Sequence, residues 1–226
     1  MKYTVHIQLQ KDKDTSPYMK DFEYEGSGDD SVAMVLRKLN SQLSEEEQIS
    51  WECGCMVRKC GACSMIINGR PSLACSTFLD SIQGNDITLE PLSKFPVVKD
   101  LIVDRSIIFE NLQKASLWLE GQADMDPSTH AVRYKSASCI MCGCCLEVCP
   151  NFTGTYDFAG AVDAVNAFRI LNEESTRDHK KEVAKKYRKQ YFRSCGKSLS
   201  CHDICPIGLP IEELVARSNA AAVWHR

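Results

Sequence analysis

The chain has 226 residues, of which 44% are hydrophobic and 25% charged, a globular composition that excludes a disordered or collagen-like chain. Its formal net charge of -3 gives no electrostatic reason to expect nucleic acid as a partner. No apolar run approaches the ~18 residues of a membrane-spanning helix, and the opening MKYTVHIQLQ has no signal-peptide stretch, so we expect the chain in the cytoplasm. The 13 cysteines are odd in number, and disulfides seldom persist in a reducing compartment, so metal ligation is the leading interpretation.

The first half of the chain predicts a mixture of strands and helix. Asp30 or Ser31 is placed to cap a helix whose apolar positions follow helical spacing: Val32, Val35, Leu36, Leu39 and Leu43. Asn68-Gly69 is a strong hairpin signal. Alternating apolar and polar residues on either side of these features predict four strands, near residues 3–9, 22–24, 64–67 and 87–89.

The second half predicts helices alone. One face of a connecting helix is formed by Ile108, Leu112, Ala115 and Leu119. The polar, breaker-rich stretch 121–130 follows, so we place the domain boundary there and predict domains at 1–120 and 121–226. Beyond it no segment alternates convincingly, and helices are predicted over residues 155–174, 175–193 and 206–226.

The first cysteine group has the spacing of a plant-type ferredoxin. Cys55, Cys60 and Cys63 follow the pattern C-x4-C-x2-C, and Cys75 is the distant fourth thiol, which predicts a [2Fe–2S] cluster. Gly54 and Gly61 suit a tight loop around such a cluster. A structural zinc site is the alternative, although zinc favours two separated C-x2-C pairs. Cys53 is an extra thiol that we interpret as a non-ligating neighbour.

The second cysteine group, CIMCGCCLEVCP, is the bacterial ferredoxin run, and the third repeats it with Ser198 where a second cysteine belongs. In two-cluster ferredoxins the fourth cysteine of each run binds the other cluster. This rule predicts a [4Fe–4S] cluster on Cys139, Cys142, Cys145 and Cys205. It leaves three thiols for the other cluster, best interpreted as [3Fe–4S]: Cys149, Cys195 and Cys201. Cys144 has no assigned cluster. A fourth iron bound by the Ser198 oxygen is a weaker interpretation than a cluster without a fourth iron.

Three different clusters in one chain indicate an electron relay. The sequence contains no G-x-G-x-x-G, no P-loop and no C-x-x-C-H motif for haem attachment. We therefore predict no catalytic residues in this chain.

These motifs, with INGRPSLAC after the first group and SCGKSLSCHDICP at the third, resemble the iron–sulfur subunit of succinate dehydrogenase and fumarate reductase. The resemblance covers nearly the whole chain. It implies an α+β fold, in which a plant-type ferredoxin domain of β-grasp type precedes an all-α domain resembling bacterial ferredoxins. The family's ligands fall on the cysteines predicted from spacing, and Cys63 stands where some members have Asp.

The resemblance also implies partners. A flavoprotein with covalent FAD would interconvert succinate and fumarate, and a membrane-anchor subunit, with or without haem, would bind quinone. The chain would then lie peripherally on the cytoplasmic side of the cell membrane. Gly154 and Gly196 replace the Trp and His of ubiquinone-linked members, which favours menaquinone. The alternatives are a subunit of a heterodisulfide- or glycolate-type complex, and a freestanding ferredoxin.

Two further features have open interpretations. Residues 177–193 hold eight basic residues against two acidic ones. A solvated helix face is the first interpretation, attraction to anionic lipid or a partner is the second, and nucleic acid is a distant third. His202 follows a predicted ligand directly and is either an ordinary histidine or a participant in quinone protonation.

Overall fold

The computed structural model describes residues 1–123 and 126–224. Contacts between residues divide the chain into two compact units, Met1–Asp104 and Arg105–Arg226. No helix in the described part of the chain has the length and apolar character needed to span a membrane.

The first unit is built on a five-stranded mixed sheet in the order β2-β1-β5-β3-β4. Strand β1 pairs antiparallel with β2 and parallel with β5, while β3 pairs antiparallel with both β4 and β5. A separate two-stranded ribbon, β6 with β7, completes the unit. The strands are β1 Lys2–Leu9, β2 Tyr18–Glu25, β3 Ser64–Ile67, β4 Arg70–Leu73, β5 Asp86–Glu90, β6 Val97–Lys99 and β7 Ile102–Val103.

The predicted strands of the first unit are confirmed, and their side-chain alternation explains why they form. The apolar residues of β1 are buried and its polar residues lie on the other face, so the sheet packs one side into the core. At the β3–β4 hairpin, Asn68 and Gly69 have φ of 47° and 75°. Both values lie in the left-handed region that a two-residue hairpin turn requires.

Helix α1, Val32–Asn40, packs its apolar face into the same core. Of the two predicted caps, Ser31 is the one used: its Oγ accepts the Met34 N–H at 3.3 Å. The helix ends at Asn40, so Leu43 lies beyond it and the predicted helix is too long.

The second unit is helical, as predicted. Its helices are α2 Ser106–Lys114, α3 His130–Ala137, α4 Cys144–Glu147, α5 Gly160–Glu173, α6 Arg177–Tyr187 and α7 Ile211–Trp224. A π-helical turn, Arg188–Phe192, continues α6. The predicted helices near 155–174, 175–193 and 206–226 are each present, but they begin later in the chain because turns and extended segments precede them. Residues 225 and 226, at the end of the third prediction, lie outside the described residues.

Helix α5 is the centre of the second unit and packs against α2, α3, α4, α6 and α7. It is buried on most of its surface, as expected for a helix surrounded by others. Its first residue, Gly160, has φ of 74°, and a Cβ there would lie 2.1 Å from Leu146 Cδ2 of α4. A side chain at this position would strain the left-handed backbone and would require the Leu146 side chain to move.

The connection between the units differs from the predicted boundary at 120/121. Helix α2 packs against α5 and so belongs to the second unit. It ends at Lys114 rather than at Leu119, and Ser116 has φ of 57°. The segment after it is tied to α6: Lys186 Nζ donates to Ser116 Oγ at 2.6 Å, and His179 Nε2 lies 2.8 Å from the Trp118 carbonyl oxygen. The described residues of the breaker-rich stretch, 121–123 and 126–130, therefore belong to the second unit.

Glu174 anchors the same segment. Its fully buried carboxylate accepts the backbone N–H groups of Thr176, Glu120 and Gly121 at 2.6, 2.7 and 3.1 Å. Burial alone raises the pKa of this carboxyl, but the N–H donors outweigh it and lower the pKa to about 2.

We expect Glu174→Ala to leave three backbone N–H groups without an acceptor and to lower the free energy of unfolding by about 3 kcal/mol. Hydrogen–deuterium exchange should lose protection at residues 119–122 and 175–177. Glu46→Ala, at an exposed position of the turn Glu45–Glu47, is the control. Because the folded pKa lies below the ~4.3 of free glutamate, the contribution is complete above about pH 5 and is lost as the pH falls toward 2. Unchanged exchange in Glu174→Ala would contradict this role.

Candidate iron–sulfur cluster sites

The first cysteine group lies on the loop between α1 and β3 and on the turn after β4. The loop turns through left-handed backbone at Met56, Arg58 and Gly61. This path aims the N–H groups of Val57 and Lys59 at Cys55 Sγ, at 3.4 and 3.3 Å. These donors lower the pKa of the Cys55 thiol to about 7. The loop therefore favours a thiolate before any metal binds.

The four predicted ligands of this group come together in two pairs. Cys55 and Cys60 are hydrogen-bonded through their side chains on the outer part of the loop. Cys63 and Cys75 form a second hydrogen-bonded pair, and both are buried. The Ala74 N–H donates to the Cys63 carbonyl oxygen at 3.0 Å and fixes the turn that carries Cys75. Burial raises the pKa of Cys63, so a cationic group is needed to hold its thiolate.

Cys53, the extra thiol, has a different contact. Its Sγ lies 3.2 Å from Met56 Sδ, within the same loop. It is also close enough to Cys63 for its charge to raise that pKa. This placement agrees with the interpretation of Cys53 as a neighbour of the predicted ligands.

The second group surrounds an apolar cavity in the helical unit. The four cysteines predicted to hold a [4Fe–4S] cluster all line it, although one of them is distant in sequence: Cys139, Cys142, Cys145 and Cys205. Apolar side chains close the remaining walls, among them Val162, Val165, Leu209 and Ile211. Gly143, with φ of 89°, turns the chain between the first two cysteines and α4.

The electrostatics of this cavity suit a bound cationic group. Burial raises the pKa of Cys139 to about 11 and raises that of Cys145 strongly, so thiolates alone are unstable there. Cys142 is the exception, because a hydrogen bond from the Cys144 thiol lowers its pKa to about 7. Four thiols that line one apolar cavity fit an iron–sulfur cluster, which would supply the positive charge.

Cys144 does not line the cavity. It is fully buried beside the cavity: its thiol donates to Cys142, and the charges of Cys145 and Cys205 act on it as well. Arg105 also supports Cys142: its Nη1 lies 3.4 Å from the Cys142 carbonyl oxygen, and its charge helps to lower the pKa of that thiol. The sequence gives no signal for Arg105, which lies 37 residues earlier.

The third group joins three thiols from two segments. Burial raises the pKa of Cys201, and the nearby charges of Cys149 and Cys195 raise it further. Cys195 Sγ lies 3.4 Å from Tyr191 Oη, one turn earlier on the π-helical turn. The helical spacing of Tyr191 and Cys195 is the one signal that could have predicted this contact.

Each run contributes its last cysteine to the other group. Cys205 lies with Cys139 and Cys142, while Cys149 lies with Cys195 and Cys201. The two groups also adjoin, since the charge of Cys201 acts on Cys145. This is the arrangement that the crossing rule requires, and the ligand assignment itself stays a prediction.

Ser198 lies on the exposed stretch 196–200, where Lys197 and Leu199 both have φ of 56°. The Ser200 hydroxyl donates to Ser198 Oγ at 3.3 Å. His202 is half-exposed, with Nδ1 3.1 Å from Glu212 Oε2 and Nε2 3.2 Å from Asp203 Oδ1.

Within the described residues, no three Cys, His, Asp or Glu side chains are arranged to hold a single metal ion. Ligands of one ion crowd within about 2.3 Å of it, whereas each thiolate of a cluster binds its own iron.

Comparison with known proteins gives one match for each half of the chain. Residues 4–110 match a family model described as a 2Fe-2S iron-sulfur cluster binding domain, and residues 135–209 match a 4Fe-4S dicluster domain. The chain is 30% identical to the succinate dehydrogenase iron-sulfur subunit of Bacillus subtilis, over 94% of this chain and 89% of the relative. It is 29% identical to the fumarate reductase iron-sulfur subunit of Wolinella succinogenes, over 89% and 88%. A chain of the Mycobacterium smegmatis Sdh1 complex shares the fold, with a TM-score of 0.78 at 22% identity, over 99% of this chain and 96% of that one.

The neighbouring cysteines of α4 provide a matched test of the cavity. We expect Cys145→Ala to lose the [4Fe–4S] signal and about four of roughly nine iron atoms, because Cys145 lines the cavity. Cys144→Ala should keep both, because Cys144 does not line the cavity and is not a predicted ligand. Iron analysis and electron paramagnetic resonance of anaerobically purified protein measure this. Loss of iron from Cys144→Ala would overturn the ligand assignment.

Cys201 and Cys205 test the crossing. Although they are four residues apart, we expect Cys205→Ala to damage the [4Fe–4S] signal and Cys201→Ala the [3Fe–4S] signal, because the two thiols lie in different groups. The same spectra, recorded oxidised and reduced, separate the two clusters. If both variants lose the same signal, the two runs do not exchange their last cysteines.

Proposed function

Since this chain belongs to the family of iron–sulfur subunits of succinate dehydrogenase and fumarate reductase, we propose that it relays electrons between a FAD-containing flavoprotein and a quinone bound by a membrane anchor. The observation that carries this proposal is the grouping of eleven thiols at three places, two of them adjoining. Clusters that served only to stabilise the fold would not need three groups of different kinds.

Each group has its own proposed occupant. A [2Fe–2S] cluster is held by Cys55, Cys60, Cys63 and Cys75, a [4Fe–4S] cluster by Cys139, Cys142, Cys145 and Cys205, and a [3Fe–4S] cluster by Cys149, Cys195 and Cys201. When bound, these clusters supply one-electron carriers that bridge the two-electron chemistry of a flavin to a quinone. The chain's own residues position the thiolates, surround the cavity with apolar side chains and donate hydrogen bonds to sulfur.

The three-thiol group is the proposed exit toward quinone. With the fewest thiolate charges, its cluster has the highest reduction potential of the three. The stretch that follows Cys195 is exposed and carries Leu199, an apolar side chain that is 48% exposed. An exposed apolar residue beside a terminal carrier suits contact with an anchor subunit.

Menaquinone is the proposed acceptor, and the anchor provides most of its site. Gly154 and Gly196 offer no side chain to hydrogen-bond a quinone. A Cβ on Gly196 would lie 3.2 Å from Asn151 Oδ1, and Asn151 Nδ2 already donates to the Ser194 carbonyl oxygen. A larger residue at Gly196 therefore needs Asn151 to move. In this arrangement the chain lies peripherally on the cytoplasmic side of the membrane.

The complete complex, purified with its flavoprotein and anchor, tests the proposal. Succinate should reduce the cluster signals only when the flavoprotein is present, and a menaquinone analogue should reoxidise them. Reduction of the clusters by succinate without the flavoprotein, or no reduction with it, would refute the proposed relay.

In the same complex, Ser198→Cys should supply a fourth thiolate and convert the [3Fe–4S] cluster to [4Fe–4S]. The lower potential should slow quinone-linked turnover by about tenfold or more, while dye-linked succinate oxidation is kept. Ser200→Cys, two residues away on the same exposed stretch, is the control and should change neither. An unchanged [3Fe–4S] signal in Ser198→Cys would show that residue 198 is not next to the position of the missing fourth iron.

A further inference from the structure

Helix α6 and the π-helical turn present two stripes of residues that repeat every four positions. The buried stripe packs into the helical unit and consists of His179, Val183, Tyr187 and Tyr191, each at most 3% exposed. The second stripe is basic and exposed along its whole length: Arg177, Lys181, Lys185, Lys189 and Arg193. We name this second stripe the basic ridge.

The basic ridge lies on the opposite side of the helix from the buried stripe. Its members are offset from the buried ones by two residues, which is roughly 200° around an α-helix of 3.6 residues per turn. Steps of four residues slightly exceed one α-helical turn, so a ridge drifts around the axis. The wider π-helical turn, Arg188–Phe192, reverses that drift near its end and keeps the ridge on one side.

The ridge is not neutralised by the described part of the chain. None of its five members makes an ion pair there. The two acidic residues of the segment are Asp178 and Glu182, and Glu182 is bound to Lys186 at 2.5 Å. The second unit has sixteen basic and fourteen acidic residues, while the first has eleven and sixteen. The excess positive charge of the second unit is thus concentrated on this helix.

We infer that the basic ridge binds an anionic lipid surface. Five long cationic side chains in a row, without an aromatic or apolar anchor among them, match a plane of lipid phosphates. A protein partner is less suited, because interfaces are depleted in Lys and depend on buried aromatic anchors. The ridge leads directly into Cys195 and the exposed stretch 196–200. This inference rests on the proposed function, in which that end of the unit faces the membrane.

The ridge can be tested with the purified, cluster-containing chain and lipid vesicles. In about 0.1 M salt, vesicles with one-third phosphatidylglycerol should sediment the protein, and pure phosphatidylcholine vesicles should not. The triple variant K181Q/K185Q/K189Q keeps good helix formers and should bind anionic vesicles about 100-fold more weakly. Salt near 1 M should remove the difference, whereas inorganic phosphate at matched ionic strength should not compete.

The matched control is K11Q/K13Q/K99Q, which removes three exposed charges from the first unit and should bind within about threefold of the unaltered chain. Equal binding to neutral and anionic vesicles, or equal losses in both triple variants, would overturn the inference. So would normal vesicle binding by the ridge variant combined with loss of its association with the flavoprotein. The cluster signals and their reduction by succinate are measured in parallel, so failure of lipid binding is distinguishable from failure of the proposed relay.

Discussion

The free-energy cost of burying negatively charged sulfur determines where the cysteines of this molecule can lie. Thiolates are stable in an apolar interior only when positive charge or hydrogen bonds compensate them. Burial raises the pKa of Cys139, Cys145 and Cys201, whereas two thiols with close donors, Cys55 and Cys142, have a lowered pKa of about 7. Loops and helix ends, where the chain has unused N–H groups, are therefore the natural places for these residues.

The second unit shows how a helical scaffold meets this constraint. Helix α5 provides apolar walls for the cysteine cavity and at the same time contacts most other helices of the unit. The close approach at Gly160 allows α4 to lie against it. The buried Ser218 hydroxyl of α7 donates to the Ala164 carbonyl oxygen at 2.8 Å. The helix that shapes the cavity is thus also tied to α7, the helix that follows Cys205 in the chain.

Cysteine spacing predicted the grouping of thiols because most ligands of each group lie within a few residues of one another in the sequence. Alternation predicted the strands for the same reason. The domain boundary was harder, because the breaker-rich stretch 121–130 marks a loop without showing to which unit α2 packs. The contacts of Arg105 with Cys142 and of Glu174 with Glu120 join residues far apart in sequence, so no local pattern reveals them. The π-helical turn has no compositional signature at all.

The exchange of last cysteines between the two runs has a topological consequence. Neither thiol group is complete until the chain near Cys139 and the chain near Cys205 have met, with α5 and α6 between them. A cluster bound across these ends, as proposed, would act as an inorganic cross-link that closes a long loop, much as a disulfide does, and would restrict the unfolded chain. Iron insertion would then add to packing that already holds α7, because the buried Ser218 hydroxyl binds α5 and Tyr187 Oη donates to Asn219 Oδ1 at 2.8 Å.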